Sequence, residues 1–89
     1  MLSPKPWVLR IDPDVLRAVR RLPKQDARRI AGAIQLLPSN PFLGDIQKMK
    51  GQENVWRRRV GSYRLFYKLL DGEKIILVFH LERRTSTTY

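Results

Sequence analysis

Two spacings of apolar residues divide the chain. From residue 15 to residue 37 the apolar positions recur at helical intervals, and from residue 55 they alternate with polar ones as in a strand. Residues 7–11 (WVLRI) are short, aromatic and β-branched and lie between Pro6 and Pro13, which predicts a first strand. Asp12-Pro13 predicts a helix start, because an aspartate caps free N–H groups and proline suits the first helical position. Val15, Leu16, Val19 and Leu22 then fall on one helical face. Pro23 ends this helix and opens a second, where Ala27, Ile30, Ala31, Ile34 and Leu37 form an apolar stripe with Arg28, Arg29 and Gln35 outward. Pro38-Ser39-Asn40-Pro41 stops it. Two such helices make a hairpin whose apolar side needs a sheet to cover it.

Residues 42–54 follow neither period and are predicted as loop. Val55–Val60, Tyr63–Leu70 and residues 74–81 read as strands joined by Gly61-Ser62 and Asp71-Gly72, pairs that suit tight hairpins. The predicted fold is one α+β domain over residues 1–89: an N-terminal strand, a two-helix hairpin, then an antiparallel three-stranded meander backed by the helices.

The turns imply registers. A two-residue turn at Gly61-Ser62 pairs Arg59 with Arg64, Arg57 with Phe66 and Trp56 with Tyr67. Alternation then puts Arg57, Arg59, Arg64 and Phe66 on one face. Trp56, Arg58, Val60, Tyr63, Leu65, Tyr67 and Leu69 share the other, which apart from Arg58 is apolar enough to lie under the helices. A two-residue turn at Asp71-Gly72 pairs Arg64 with Phe79 and Phe66 with Leu77, brings Leu81 and Arg83 onto the arginine face and turns His80 toward Tyr63. A turn one residue longer reverses that parity, exchanging Arg83 for Arg84 and bringing His80 onto the arginine face.

Composition narrows the chemistry. Among 89 residues, 18 Lys+Arg against 8 Asp+Glu leave a net charge of +10, an excess that points to an anionic partner, nucleic acid first. No cysteine is present and there is one histidine, so a disulfide framework and Cys-based zinc sites are excluded, a His-based metal cluster is not expected and no cofactor is predicted. The carboxylates are scattered, unlike a two-metal nuclease, and neither a phosphate-binding glycine loop nor a nucleophile elbow is present. The longest apolar run, residues 75–79, is far below the ~20 residues of a membrane span, and residues 1–6 lack a signal-peptide core, so a cytoplasmic protein is expected.

Arg59 facing Arg64 costs stability through like-charge repulsion. Guanidinium forks bind phosphate oxygens bidentately, which makes the face a phosphate site, although a solvated arginine-rich strand face has the same pattern. Trp7, Trp56 and Tyr67 read as core. Arg17, Arg20, Arg21, Arg28 and Arg29 lie on outward helix positions, where RNA, an acidic protein or solvent are all suitable neighbours.

The stretch from Met49-Lys50-Gly51 through Val55-Trp56-Arg57-Arg58-Arg59-Val60-Gly61-Ser62-Tyr63-Arg64-Leu65-Phe66-Tyr67 resembles the R-x-R-V-G-x-Y-R-x-x-Y hairpin of the RelE/ParE toxin superfamily. The ending Glu82-Arg83-Arg84 through Tyr89 is similar to that family's terminal R-R-x-x-Y, and the resemblance covers nearly the whole chain. It implies a microbial-RNase-like fold and a cognate antitoxin that neutralises the toxin. RelE-type members cut messenger RNA in the ribosomal A site, so ribosome and mRNA are implied partners, whereas ParE-type members poison DNA gyrase. By position the resemblance implies a catalytic set of Arg57, Arg59, Arg64, Arg83 and Tyr89. Presence of all five favours the RelE type; a gyrase-directed toxin or a non-catalytic basic RNA-binding module are the alternatives. In the implied reaction the ribose 2′-OH attacks the adjacent phosphate without a metal. Arg64 and Arg83 hold the added charge, Arg57 and Arg59 position phosphates, and Tyr89 stacks on a base or donates a proton. Relatives commonly carry lysine in the basic pair; here Lys50 is the nearby lysine candidate for a general base. Lys48, Phe66 and Arg84 complete the expected RNA-contacting set. Thr85-Ser86-Thr87-Thr88 separates Arg84 from Tyr89, a second departure from the family pattern.

Overall fold

A computed structural model describes residues 7–83. In chain order the elements are β1 (Val8–Ile11), α1 (Pro13–Arg20), α2 (Lys24–Leu36), β2 (Ile46–Lys48), β3 (Val55–Val60), β4 (Tyr63–Leu70) and β5 (Ile75–Arg83). They form one sheet of order β1-β5-β4-β3-β2, antiparallel except that β1 runs parallel to β5. The α+β class is as the pattern predicts, with one more strand in the meander. β2 arises inside the predicted loop 42–54, pairing Ile46 with Arg58, Gln47 with Arg57 and Lys48 with Trp56. Three residues are too few to show a period; β2 is extended because the outer edge of β3 offers it hydrogen-bonding groups.

Local chemistry sets the helix ends. The Asp12 carboxylate accepts from the Asp14 N–H at 2.9 Å, and Pro13 occupies the first turn. α1 stops at Arg20, two residues short of the predicted Leu22, as the Arg21 and Leu22 N–H groups turn back to the carbonyls of Ala18 and Val19 at 3.1 Å each. Val15 is buried, but Leu16, predicted on the same face, is exposed. α2 begins after Pro23 as expected and buries Ile30, Ala33 and Ile34, with Leu37 fully enclosed just beyond its end. Among the described residues no helix is long and apolar enough to cross a membrane.

The core lies between the hairpin and one face of the sheet. Tyr63, Leu65, Tyr67 and Leu69 alternate into it from β4, joined by Ile76 and Val78 of β5 and Val60 of β3. Tyr67 is fully buried, and its hydroxyl donates to the Pro41 carbonyl at 2.6 Å. This bond ties the segment after α2 to the middle of the sheet.

Arg58 faces this side, as the register requires, and the same segment covers it. At Gly44, where φ is +94°, a Cβ would stand 3.0 Å from Arg58 Nε, so bare glycine backbone makes room for the guanidinium. Its Nη1 is buried without a hydrogen-bond partner among the described residues.

Burial pushes the Tyr67 phenol up from 10.0 to about 12, against a smaller opposing pull from Arg58. The folded value lies above the unfolded one, so the contribution is complete below pH 10.0 and is lost as pH climbs through about 12. Tyr67→Phe leaves the Pro41 carbonyl without its donor and should cost ~1–2 kcal/mol at neutral pH in urea unfolding. The variant should also lack the wild type's tyrosine-linked fall in stability at alkaline pH.

Candidate nucleic-acid interface

The opposite face of the sheet carries no helix. Every pair expected from the Gly61-Ser62 turn is present, including Arg59 with Arg64, Arg57 with Phe66 and Trp56 with Tyr67. Two rows therefore cross the open face. One runs Gln47, Arg57, Phe66, His80; the next runs Arg59, Arg64, Glu82, with Asp45 at its margin.

The second hairpin differs from expectation. Leu70 pairs with Ile75, so the turn holds residues 71–74 rather than two, with Lys74 at φ +56°. β5 also contains one extra residue: Tyr67 pairs with Val78 but Phe66 with His80, leaving Phe79 as a bulge. The bulge reverses parity along the end of β5. Leu81 turns inward to pack on the core, and His80 and Glu82 take the places expected for Leu77 and Phe79 opposite Phe66 and Arg64.

The predicted site is thus assembled in part. Arg57, Arg59, Arg64 and Phe66 come together. Arg83 does not join them: it pairs with Tyr63, its guanidinium carbon lies 6.0 Å from the centre of the Tyr63 ring, and it belongs to the helix-side face. The Tyr63 hydroxyl donates to Asp26 at 2.8 Å, which raises the phenol's pKa and anchors α2 beneath that end of the sheet. Lys48 likewise lies on the other face, opposite Trp56. Lys50 sits in the turn between β2 and β3, at the end of β3 remote from Arg59; residues 55 to 59 alone put ~13 Å between the two ends. Lys50, expected as the lysine beside the basic pair, therefore does not stand with Arg59 and Arg64. Arg84 and Tyr89 lie outside the described residues. Sequence reasoning missed Glu82, and it placed His80 here only under the alternative register.

Each guanidinium is held but not saturated. Arg57 Nη2 donates to Gln47 Oε1 at 2.8 Å, Arg59 Nε stands 4.0 Å from Asp45 Oδ2, and Arg64 Nη1 lies 3.4 Å from Glu82 Oε2. The other Glu82 oxygen meets His80 Nε2 at 3.2 Å. The Nε atoms of Arg57, Arg59 and Arg64 are buried and have no hydrogen-bond partner among the described residues. Buried donors left unpaired are costly, and the parts of these guanidiniums that phosphate oxygens can reach are the exposed ones, with the Arg59 and Arg64 side chains 38% and 30% accessible. Three guanidiniums against one carboxylate, with Asp45 at the edge, leave the face positive.

A helical hairpin on one side of a sheet and three arginines on the bare side define a small basic α+β domain with an anion-receptive face. The profile of the family described as ParE toxin of type II toxin-antitoxin system, parDE, matches residues 9–86. Over 73 residues, 79% of this chain and 81% of the relative, the chain is 32% identical to the Methanocaldococcus jannaschii protein named as toxin RelE1. The chain belongs to the RelE/ParE family of toxins of type II toxin–antitoxin systems. Its fold is similar to the toxin in the archaeal RelE–RelB complex from Pyrococcus horikoshii OT3, with TM-score 0.81, 27% identity, and 91% of this chain and 98% of that chain covered. It is also similar in fold to the isolated Escherichia coli RelE toxin, with TM-score 0.77, 17% identity, and 91% and 87% covered.

Removing one of the facing charges tests the electrostatic account. Arg59→Gln should leave folding intact and raise stability by ~0.2–1 kcal/mol at low ionic strength, because the repulsion with Arg64 is relieved and the exposed Asp45 contact contributes little. In ~1 M salt the gain should shrink, since the Debye length falls to ~3 Å. Paired urea titrations read both quantities.

Proposed function

We propose that this toxin is a ribosome-dependent endoribonuclease of the RelE type that cuts mRNA in the ribosomal A site and is neutralised by a cognate antitoxin. The observation that carries the reading is the convergence of three half-buried arginines, Arg57, Arg59 and Arg64, on one open sheet face. Phosphodiester cleavage by an adjacent 2′-OH asks the protein to align the backbone and to stabilise charge that grows on the phosphate. Arg57 and Arg59 suit the first task, on flanking phosphates; Arg64, between β3 and β5, suits the second. Phe66 offers a ring on which a splayed base can stack. Tyr89 retains the stacking or proton-donating role that the family resemblance implies. Arg83 is left out because its side chain belongs to the other face.

Dependence on the ribosome fits a site without walls. The open face supplies phosphate contacts, and the ribosome would supply the alignment of the message. The antitoxin is supported by relatives whose toxins were solved with RelB, among them the complexes from Pyrococcus horikoshii OT3 and Methanococcus jannaschii.

Mapping 5′ ends of a translated message in a cell-free extract tests the reading. Wild type should produce breaks that require translation, and Arg64→Ala should lower the single-turnover rate by at least ~100-fold, the scale of losing one charge-stabilising donor. Arg57→Ala should weaken RNA binding and flatten its salt dependence by about one phosphate contact. Intact message in the presence of arrested growth and broken DNA would overturn the proposal in favour of a gyrase-directed toxin.

A further inference from the structure

The bulge at Phe79 does more than displace Arg83. It sets an imidazole and a carboxylate among the arginines, on a face otherwise short of groups able to accept a proton near neutral pH. Arginine stays protonated throughout that range, and Lys50 is at the far end of β3. Histidine is the side-chain type whose ordinary titration spans neutrality.

The contacts of His80 specify how it is held. Its Nε2 lies 3.2 Å from Glu82 Oε1, while Glu82 Oε2 faces Arg64 Nη1 at 3.4 Å. An ionised carboxylate only accepts, so Nε2 carries the hydrogen and the Nδ1 lone pair is left free. The Phe66 ring packs against the imidazole with centroids 5.4 Å apart and a 46° tilt. The side chain is 53% exposed, so a ligand on the face can reach it. Arg64 is diagonal to His80 across the β4–β5 pair, at the ~7–8 Å typical of such neighbours, a distance one nucleotide bridges. The charged groups around it are Glu82 on its own strand, Arg64 on β4, Arg57 farther along its row on β3, and Asp14 of α1. Asp14 shares a cleft of about 120 Å³ with His80 and is itself paired with Arg17.

We infer that His80 is the proton acceptor of the arginine face and that Glu82 is its positioning residue, an inference that rests on the endoribonuclease reading above. Nδ1 takes the proton of the ribose 2′-OH as the 2′-oxygen bonds to phosphorus. The bond from phosphorus to the 5′-oxygen breaks, and that oxygen takes a proton from water. The products are a 2′,3′-cyclic phosphate and a 5′-hydroxyl end, and the imidazolium returns its proton to solvent. Arg64, linked to the same carboxylate, couples proton removal to stabilisation of the phosphate charge.

Single-turnover cleavage of a ribosome-bound message tests this over a range of pH. His80→Ala and the more conservative His80→Gln should each lose at least ~100-fold in rate, the lower end of what a positioned general base contributes. Both should unfold thermally as wild type does. The rate of wild type should rise with pH through the neutral range, and this limb should vanish in both variants. Imidazole in the buffer should restore part of the His80→Ala rate and none of the Arg64→Ala rate. Glu82→Ala should lower the rate while keeping the limb, and Glu82→Gln, which keeps an oxygen acceptor for Nε2, should restore most of it, which a loss of packing alone would not do. Because the chain has one histidine, its ring resonances report directly on ligand, and a 2′-O-methyl oligonucleotide should shift them. A wild type that cuts while both His80 variants cut equally fast with its pH profile overturns the inference alone. A wild type that cuts no message overturns the proposed function and this inference together.

Discussion

Burial of β4 is the constraint from which the open face follows. Tyr63, Leu65, Tyr67 and Leu69 are between 0% and 5% exposed and lie beneath the helical hairpin. A one-residue slip of the strand would send all four to solvent and press Arg64 and Phe66 into the core, at ~1.5–3 kcal/mol for each large apolar side chain exposed and more for the buried charge. That difference fixes the outward direction of Arg64 and Phe66. Pairing across the Gly61-Ser62 turn then obliges Arg57 and Arg59 to share their face, so the core sets the charge pattern through backbone geometry.

The resulting face is electrostatically unfavourable as it stands. Arg59 opposes Arg64, and three Nε donors are buried without partners among the described residues. Glu82 offsets part of this by meeting Arg64 and His80 at once, and Asp45 stands at the margin. The remaining surplus is a cost to the free protein that an anionic ligand would reverse. Stability given up in this way is common in functional sites.

The bulge decides which residues of β5 meet this charge. Without Phe79 as an extra residue, Leu81 and Arg83 would face outward and the surface would carry a fourth guanidinium. With it, the inward half of the strand end is Leu81 and Arg83, and the outward half is His80 and Glu82. Family membership and fold agree with the resemblance carried by the β3–β4 hairpin. The site departs from that resemblance on β5, where local strand geometry rather than motif spacing governs side-chain direction.

The amino-acid order alone determined the class of fold, the helix starts at Asp12-Pro13 and Pro23, the β3–β4 register and the grouping of Arg57, Arg59, Arg64 and Phe66. Those features depend on short-range rules: capping, proline geometry, period-two alternation and a two-residue turn. β2, the length of the turn at residues 71–74, the bulge at Phe79 and the segment that covers Arg58 were decided by tertiary structure. A three-residue edge strand has no period to read, and it forms only because β3 presents an unpaired edge. A bulge is likewise invisible in a pattern of alternating residues, because it is the choice between burying Leu81 and burying His80 against the completed core that inserts it.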